Sequence, residues 1–494
     1  MIKPFLLLYV LAAVTWAQPH TAMDAASSRP TGVAPAAVAR RPLPKPCPAC
    51  IRAHEEFLAS DALNGRGSGT HDELVAATYI AAQLRQYGIA PAGDGGGYIQ
   101  RVPLLRRKFS HPPELRFMTP GDGIPAQEIT FTHGNEALFL HIGGAELSGL
   151  LQKIVLNASP APQIQPGAFV FLKTAPDGKL PSQDDAARMV RAGAAVVLLP
   201  ENPRYRAHWK VIGDRLFSDS LELADATGAN VEDQSTILML SDDATKRLDE
   251  MPDGTRMRIM APAEKLEKVS TWNAVGEITG RDPALQKAAV LLSAHLDHLG
   301  VGEPVNGDSI YNGADDDASG TTAVLELARV LGAGPRPRRT VIFALFGSEE
   351  LGGVGSTYFR EHPPLPLTDL AANLEFEMIG RTDPAVPPGT LWLTGWERSN
   401  LGPTLAAHGA RLVGDPHPQQ EFFEWSDNFV LAQKGVVAQT ISSYGLHQDY
   451  HQPSDELSRL DFQHMDEAIQ SLLGPVEWLV NSGFRPEWKA GGKP

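Results

Sequence analysis

The sequence is short of three features, and each shortage excludes a class of protein. After the first 17 residues, no apolar run reaches the ~20 residues that a membrane-spanning helix needs, so no membrane span is expected. Lysine and arginine number 43 against 58 acidic residues, and the net charge of -15 argues against a nucleic-acid partner, because phosphate binding requires basic surface. The 2 cysteines are too few to complete a zinc site built from thiolates.

The amino-terminal end has the pattern of a signal peptide. Lys3 supplies positive charge, residues 5–14 form a short apolar core, and Ala17 closes a candidate cleavage site. The alternative is an amino-terminal helix that packs on the fold. We expect residues 1–17 to be removed and the mature protein to be exported, to the periplasm or out of the cell.

Residues 18–46 are rich in alanine, proline and serine, a composition that predicts a linker. Cys47 and Cys50 follow it in the sequence Cys-Pro-Ala-Cys. In an exported chain this pair predicts a small local disulfide. The alternatives are half of a zinc site and a redox motif, which would normally lie beside a βαβ unit.

The rest of the chain divides into three parts by its pattern. A length of 494 residues predicts two to four domains, or one large domain with an insert. Residues 47–104 have helical spacing and begin the main domain. Residues 105–265 contain short β-like runs around one helix, which predicts a smaller β-rich insert. Residues 268–485 complete the main domain, and no internal repeat is present.

Apolar strands alternate with helices in residues 268–485. Continuous apolar strands between helices are typical of a mostly parallel or mixed sheet that is covered on both faces, so we predict an α/β fold. The predicted strands are 288–294, 340–346, 371–377, 391–394 and 436–442, and the predicted helices are 318–331 and 463–479.

Acidic and histidine side chains stand at the carboxyl ends of these strands, the edge where open α/β sheets bind ligands. His295 leaves the first strand, and Asp297 is placed to accept its ring N–H. Residues 313–320 carry three successive acids, whose mutual repulsion a divalent cation would relieve. A surface histidine beside an acid, and a charged helix start, are the respective alternatives.

Two further pairs of acids follow the same pattern. One strand runs directly into Glu349 and Glu350. Because adjacent side chains diverge, one glutamate can bind metal while the other faces the reacting water as general base. Glu375 and Glu377 share one face of an apolar strand, where an unpaired carboxylate is costly, so a metal or a salt bridge to Arg381 is expected.

His451, on the loop after the last strand, completes the set. Two histidines and several carboxylates are what a dinuclear site needs if one carboxylate bridges the ions and each ion has one histidine. Ligands without thiolate suit Zn²⁺, Mn²⁺ or Co²⁺, and Zn²⁺ is the expected ion for hydrolysis. We therefore predict a site for two Zn²⁺.

These motifs resemble those of the dinuclear zinc aminopeptidases, a family that also includes glutamate carboxypeptidases and glutaminyl cyclases. The resemblance covers about residues 268–480 and rests on residues 295–297, 313–320, 349–352, 377–380 and 451–455. Residues 57–66 also resemble the family's amino-terminal helix region. Residues 185–199 resemble, more weakly, the protease-associated domain that is often inserted in these enzymes.

The resemblance implies a role for each position. The implied metal ligands are His295, Asp316, Glu350, Glu377 and His451. Asp316 would bridge the two ions, with His295 and Glu377 on one and Glu350 and His451 on the other. Glu349 would be the general base and Asp297 would orient His295. Family members often carry aspartate where this chain has Glu377, so Glu375 on the same face is an alternative ligand.

The implied function is an exported aminopeptidase that acts on peptides with a free amino terminus. A carboxypeptidase or dipeptidase of the same fold is the first alternative, and it would need a cationic pocket, for which Arg381 is the candidate. A metal-free binding module is the second alternative. That alternative is disfavoured, because a side chain able to bind metal fills every ligand position and Glu349 is present.

Overall fold

The computed structural model describes residues 44–119, 127–157, 163–206, 209–210, 213, 220–224 and 236–494. The predicted signal peptide, its cleavage site at Ala17 and residues 18–43 of the predicted linker lie outside the described residues. In the part of the chain that the structure describes, no helix combines the length and the apolar character needed to cross a bilayer.

The helices and strands are numbered in chain order. The helices are α1 (Pro48–Leu58), α2 (His71–Gln86), α3 (Gln183–Arg191), α4 (Pro203–Arg206), α5 (Asp242–Asp249), α6 (Gly320–Ala333), α7 (Val354–Glu361), α8 (Leu401–Ala407), α9 (Asn428–Ala432) and α10 (Phe462–Asn481). The strands are β1 (Ala90–Pro91), β2 (Ile99–Phe109), β3 (Glu114–Met118), β4 (Glu128–Thr132), β5 (Ala137–His141), β6 (Glu146–Val155), β7 (Phe169–Lys173), β8 (Val196–Pro200), β9 (Ser220–Leu223), β10 (Thr236–Leu240), β11 (Arg256–Met260), β12 (Ala263–Ile278), β13 (Ala289–His295), β14 (Gly300–Val305), β15 (Asp308–Tyr311), β16 (Val341–Phe346), β17 (Leu370–Phe376), β18 (Leu391–Leu393), β19 (Leu412–Gly414) and β20 (Val437–Ser442).

The main sheet has the order β19-β18-β20-β17-β13-β16-β12-β2-β9, with β1 paired to β12. Its centre, β20-β17-β13-β16, is parallel, whereas β12 runs antiparallel to both β16 and β2. The predicted α/β class with a mixed sheet is therefore confirmed. The hairpin β14–β15 stands apart from this sheet.

Helices on both faces explain why the central strands are apolar along their whole length. Every residue of β13 is buried. Val290 and Leu292 pack into one core cluster, together with apolar residues of α1, α2, α6 and α10, while Leu291 packs into another with residues of α7 and α9. The two-residue period of a strand thus divides β13 between two layers of helices.

A second sheet has the order β4-β3-β11-β6-β7-β8-β10-β5. All its strands lie between Glu114 and Met260, and their core contains Phe169, Phe171 and Leu198. The strand β9 comes from the same part of the chain but pairs with β2 in the main sheet. Because β2 and β12 flank this part of the sequence and also belong to the main sheet, the second sheet is connected to the main one through both of them.

The first helix is tied at its amino end. Cys47 and Cys50 form the disulfide that the sequence predicts, and Cys47 is the N-cap of α1. The Cys47 amide donates to Glu326 Oε1 at 2.7 Å, which joins this end to α6.

Candidate metal centre

The carboxyl ends of β13, β16 and β17 meet at one edge of the main sheet, because these strands are parallel neighbours. His295 is the last residue of β13. Glu349 and Glu350 follow β16, and Glu377 follows β17. Four residues that are up to 82 positions apart in sequence are thereby brought to the same edge.

Asp316 reaches this edge from the loop that precedes α6. Residues Ala314–Ser319 form a π-helical turn, and Gly313 before it has a left-handed φ of 59°. A Cβ at Gly313 would lie 2.1 Å from the carbonyl oxygen of Asp316 and 2.4 Å from the ring of His298, so the turn requires glycine. Asp316 Oδ1 lies 3.2 Å from His295 Nε2, and Oδ2 lies 3.1 Å from His451 Nε2.

Two groups of side chains share Asp316. The first is His295, Asp316 and Glu377, and the second is His298, Asp316 and Glu350, and in each group the potential ligand atoms lie within 4.8 Å of one another. His451 Nε2 also lies 3.3 Å from Glu350 Oε2. The five residues predicted as ligands therefore meet around one carboxylate. Among the described residues, Glu375 belongs to neither group.

The donor set fits divalent cations. Asp297, Asp316 and Asp317 are all buried, so several carboxylates repel one another in a space with little water. His295 Nε2 is buried and forms no hydrogen bond, although it lies 3.2 Å from Asp316 Oδ1. Cations at this point would relieve the repulsion and give that nitrogen a partner.

Glu349 lies beside this set without belonging to either group. Burial raises the pKa of its carboxyl well above the ordinary value, and the charges of Asp427, Glu377 and Glu350 raise it further, while His295 opposes them. A carboxylate with a raised pKa is better suited to accept a proton and to return it.

Residues 273–474 match the family model described as peptidase family M28. This part of the chain belongs to that family. We refer to it as the M28 domain. Its membership confirms the family resemblance drawn from the motifs.

Individual relatives match over short stretches. The leupeptin-inactivating enzyme 1 of Streptomyces exfoliatus is 31% identical over 115 residues, which are 23% of this chain and 24% of that protein. An aminopeptidase of Pseudomonas aeruginosa is 36% identical over 115 residues, which are 23% of this chain and 19% of that protein. The matches thus span about a quarter or less of the length of these relatives.

The fold also has a counterpart among solved structures. An aminopeptidase from Aneurinibacillus sp. strain AM-1 superposes with a TM-score of 0.53 over 89% of this chain and 95% of that chain. The sequence identity is 16%, so this likeness concerns the fold alone.

Within the M28 domain, Asp297 contacts the turn that carries Glu349 more closely than it contacts His295. Its Oδ1 is 3.7 Å from His295 Nδ1. The same carboxylate accepts the amide N–H groups of Glu349 at 3.0 Å and of Glu350 at 3.4 Å. His295 Nδ1 lies 3.2 Å from the carbonyl oxygen of Asp297. Asp297 therefore links the loop after β13 to the turn after β16.

Arg381 in the M28 domain is occupied by three other acids. Its guanidinium donates to Asp449 at 2.7 Å and to Asp455 at 3.0 Å, and Nε lies 3.6 Å from Asp315 Oδ2. The structure therefore does not show the alternative drawn from the sequence, a salt bridge from Arg381 to Glu375 or Glu377. Asp455 Oδ2 also accepts the amide N–H groups of Asp315 and Asp316, so the cluster supports the loop of the shared carboxylate.

Sequence reasoning missed two side chains of the M28 domain. His298 is fully buried, and its Nδ1 lies 2.7 Å from Glu350 Oε1. Tyr450 stacks on His451 with ring centroids 3.8 Å apart. Burial raises the pKa of its phenol well above 10, which keeps it protonated and able to donate. The available signals were the second histidine of His-Leu-Asp-His and an aromatic residue directly before a predicted ligand.

A pocket with aromatic side chains in its wall opens beside the centre. Glu377 and Tyr450 lie in its wall, so it adjoins the first group through Glu377 and reaches His451 through the stacked ring of Tyr450. The remaining wall is mainly apolar, with Trp392 stacked on Phe422 at 5.5 Å between ring centroids, and Trp425 set edge-on to Phe422. The cavity can accept an apolar group of a molecule bound at the centre.

Proposed function

We propose that the chain is a metal-dependent aminopeptidase that binds two Zn²⁺ and releases residues from the amino end of peptides. The proposed ligands are His295, Asp316, Glu350, Glu377 and His451, with Asp316 shared between the ions. The observation that carries this proposal is the position of Asp316, whose two oxygens lie 3.2 Å from the imidazole of His295 at the end of β13 and 3.1 Å from that of His451 on the loop after β20. A half-buried acid outside both groups, Glu349, supplies the general base.

The choice between His451 and His298 as the second histidine ligand rests on distance. His451 Nε2 lies within 3.3 Å of oxygens of both Asp316 and Glu350. His298 Nδ1 approaches Glu350 at 2.7 Å but is 3.9 Å from Asp316 Oδ2. We therefore propose His451 as the ligand and His298 as the residue that orients the carboxylate of Glu350.

The chain's own residues divide the work of hydrolysis. When bound, the two ions supply Lewis acidity, which lowers the pKa of water and polarises the substrate carbonyl. Glu349 accepts the proton of the attacking water and returns it to the leaving amine. The carboxylate of Asp297 accepts a hydrogen bond from the backbone N–H of Glu349 and so fixes the position of that residue. The phenol of Tyr450, which lies in the cavity wall, supplies a hydrogen-bond donor toward the reacting carbonyl.

The surroundings favour the amino end of a substrate over its carboxyl end. The carboxylates at the sheet edge attract a protonated amine, and the aromatic cavity fits an apolar first side chain. Recognition of a carboxylate would need a cation with free hydrogen-bonding capacity. Arg381, the candidate for that role, is bound to Asp449 and Asp455.

We also propose that residues 1–17 direct export and that residues 105–265 form a protease-associated insert in a peptidase domain made of residues 47–104 and 268–485. The second sheet between Glu114 and Met260 supports this division. Mass spectrometry of the exported protein tests the first point, since the mature chain should begin at Gln18.

The function is tested by a substrate panel before and after metal removal. Leucyl- and phenylalanyl-nitroanilides should be cleaved, and their N-acetylated forms should not. Treatment with a chelator should abolish cleavage and Zn²⁺ should restore it, with about two ions bound per chain. Cleavage of N-blocked dipeptides in preference to the free aminoacyl substrates would instead support a carboxypeptidase or dipeptidase.

A further inference from the structure

The segment of residues 66–73 forms hydrogen bonds to the loops of the metal centre. We propose that Arg66, Ser68 and Glu73 form a clamp that positions the turn Gly347–Glu350, and through it the general base Glu349. This inference rests on the proposed function. It assigns a role to residues that lie about 200 positions before the M28 domain, which begins at residue 273.

Arg66 joins the clamp to two of the loops. Its side chain is fully buried. Nε donates to the carbonyl oxygen of Leu296 at 2.9 Å, between His295 and Asp297. The terminal nitrogens donate to the carbonyl oxygens of Asn312 and of Gly313, the latter at 3.0 Å, at the start of the loop that carries Asp316. A buried guanidinium whose donors are used in this way fixes the relative position of both loops.

Ser68 reaches the turn through Asp297. Its hydroxyl donates to Asp297 Oδ2 at 2.6 Å. The same carboxylate accepts the amide N–H of Glu349 at 3.0 Å. A hydroxyl from the amino-terminal segment is therefore separated from the backbone of the general base by one side chain.

Glu73 holds the turn directly. Oε1 accepts the amide N–H of Ser348 at 3.0 Å and the hydroxyl of Thr271 at 2.5 Å, and Oε2 accepts the amide N–H of Gly69 at 2.8 Å. Ser348 has a left-handed φ of 53°, a conformation that is unfavourable for a residue with a Cβ. The bond to Glu73 compensates for this strain at the position immediately before Glu349.

All three residues of the clamp are buried. Glu73 lies on α2, whose residues Ala76, Ile80 and Leu84 are fully buried in the main core. Arg66 and Glu73 have no exposed surface, so neither can contact a bound peptide. They are positioning residues. Because the reaction depends on placing Glu349 within a fraction of an ångström, loss of the clamp should reduce turnover more than substrate binding.

The test compares two buried glutamates in the full-length enzyme. Glu73→Leu removes the acceptor for Ser348 and keeps a similar volume. Glu326→Leu is the matched control. Glu326 is equally buried, but its carboxylate accepts hydrogen bonds from the Cys47 amide and the Arg329 guanidinium, away from the metal loops. We expect Glu73→Leu to lower kcat at least 10-fold with KM within about 2-fold and metal content unchanged, whereas Glu326→Leu keeps kcat. Thermal unfolding should be shifted in both variants.

Two further measurements keep the test decisive if Glu73→Leu folds poorly. Ser68→Ala removes one hydroxyl and should lower kcat several-fold at unchanged KM. Hydrogen exchange of a peptide covering residues 346–351 should accelerate in Glu73→Leu and Ser68→Ala but not in Glu326→Leu. Equal kcat for Glu73→Leu and Glu326→Leu in an active enzyme would overturn the clamp alone. A wild-type protein that cleaves no aminoacyl substrate would overturn the proposed function and the clamp with it.

Discussion

The two sheets of this protein use burial in opposite ways. The second sheet buries phenylalanine and aliphatic side chains, such as Phe171 and Leu198, and keeps its ion pairs near solvent, as between Lys173 and Asp249. The main sheet buries equally apolar strands but ends them in acids and histidines. Of the residues that the structure describes, those with metal-binding spacing all lie at the edge of the main sheet.

The contrast between the two sheets shows where the favourable free energy of apolar burial offsets the cost of burying charged side chains. An apolar core is stable without any bound group, because its burial is favourable by itself. A set of buried carboxylates is unfavourable unless cations or protons offset the charge. The main sheet can hold such a set because strands in the same layer bury large apolar surfaces behind it. The following changes test this contrast, beginning with the largest expected effect.

The largest effect should come from Glu349→Gln at the edge of the main sheet. The amide keeps the shape of the side chain but cannot accept the proton, so kcat should fall by about 10²–10⁴ with both metals retained. Glu303→Gln, an exposed position on β14, is the control and should leave kcat unchanged. Steady-state kinetics with metal analysis measure both. Near-normal turnover of Glu349→Gln would remove Glu349 from the mechanism.

The second effect separates two glutamates of similar chemistry. Glu377 lies in a group with His295 and Asp316, whereas Glu375 is buried two residues earlier in β17 and lies outside both groups. Glu377→Gln should weaken one metal site at least 10-fold, because a ligand is lost, and Glu375→Gln should retain both ions. Titration with Zn²⁺ and metal analysis distinguish them. The reverse outcome would make Glu375 the ligand.

The contrast also explains what the sequence could predict. The central strands of the main sheet are apolar runs that end at or just before a polar residue. The same pattern in the sequence therefore predicts both the strands and the candidate ligands at their ends. The predicted start of α6 at residue 318 precedes the observed Gly320, because the acids before it form a π-helical turn. Residue propensities do not predict such a turn.

Other features depend on contacts between distant residues, which a single sequence does not display. Ser68 and Asp297 are 229 positions apart, and the strand β9 pairs with β2 across more than a hundred residues. His298 was missed because only its distance to Glu350 distinguishes it from a core histidine. Local patterns thus predict elements and ligand types, while the residues that position them emerge only from the fold.

The second sheet should respond to mutation in stability rather than in catalysis. Phe171 is buried in its core, so Phe171→Ala should lower the free energy of unfolding by about 3–5 kcal/mol. Turnover per folded molecule should stay within about 2-fold, because no residue of this core reaches the proposed centre. Denaturant unfolding and active-site titration provide the two numbers. A large loss of kcat in folded protein would show that the second sheet takes part in the reaction.

The smallest effect concerns Glu55 on α1, a buried acid that the proposed mechanism does not use. Burial raises the pKa of Glu55 to about 8 from an ordinary value of 4.5, with Arg66 opposing the shift. Between these two pH values the folded protein keeps a proton that the unfolded chain has lost, so stability should decrease as the pH rises through this window.

Glu55→Gln imitates the protonated form. At pH 8.5 the substitution should therefore raise the free energy of unfolding by an amount on the order of a few kcal/mol, and with it the unfolding temperature. At pH 5 it should change both little. Thermal melts of the metal-loaded protein at both pH values measure the difference. If the variant is instead less stable than the wild type at pH 8.5, Glu55 is ionised and paired with Arg66. The set of buried charges around the metal loops would then include a residue of α1.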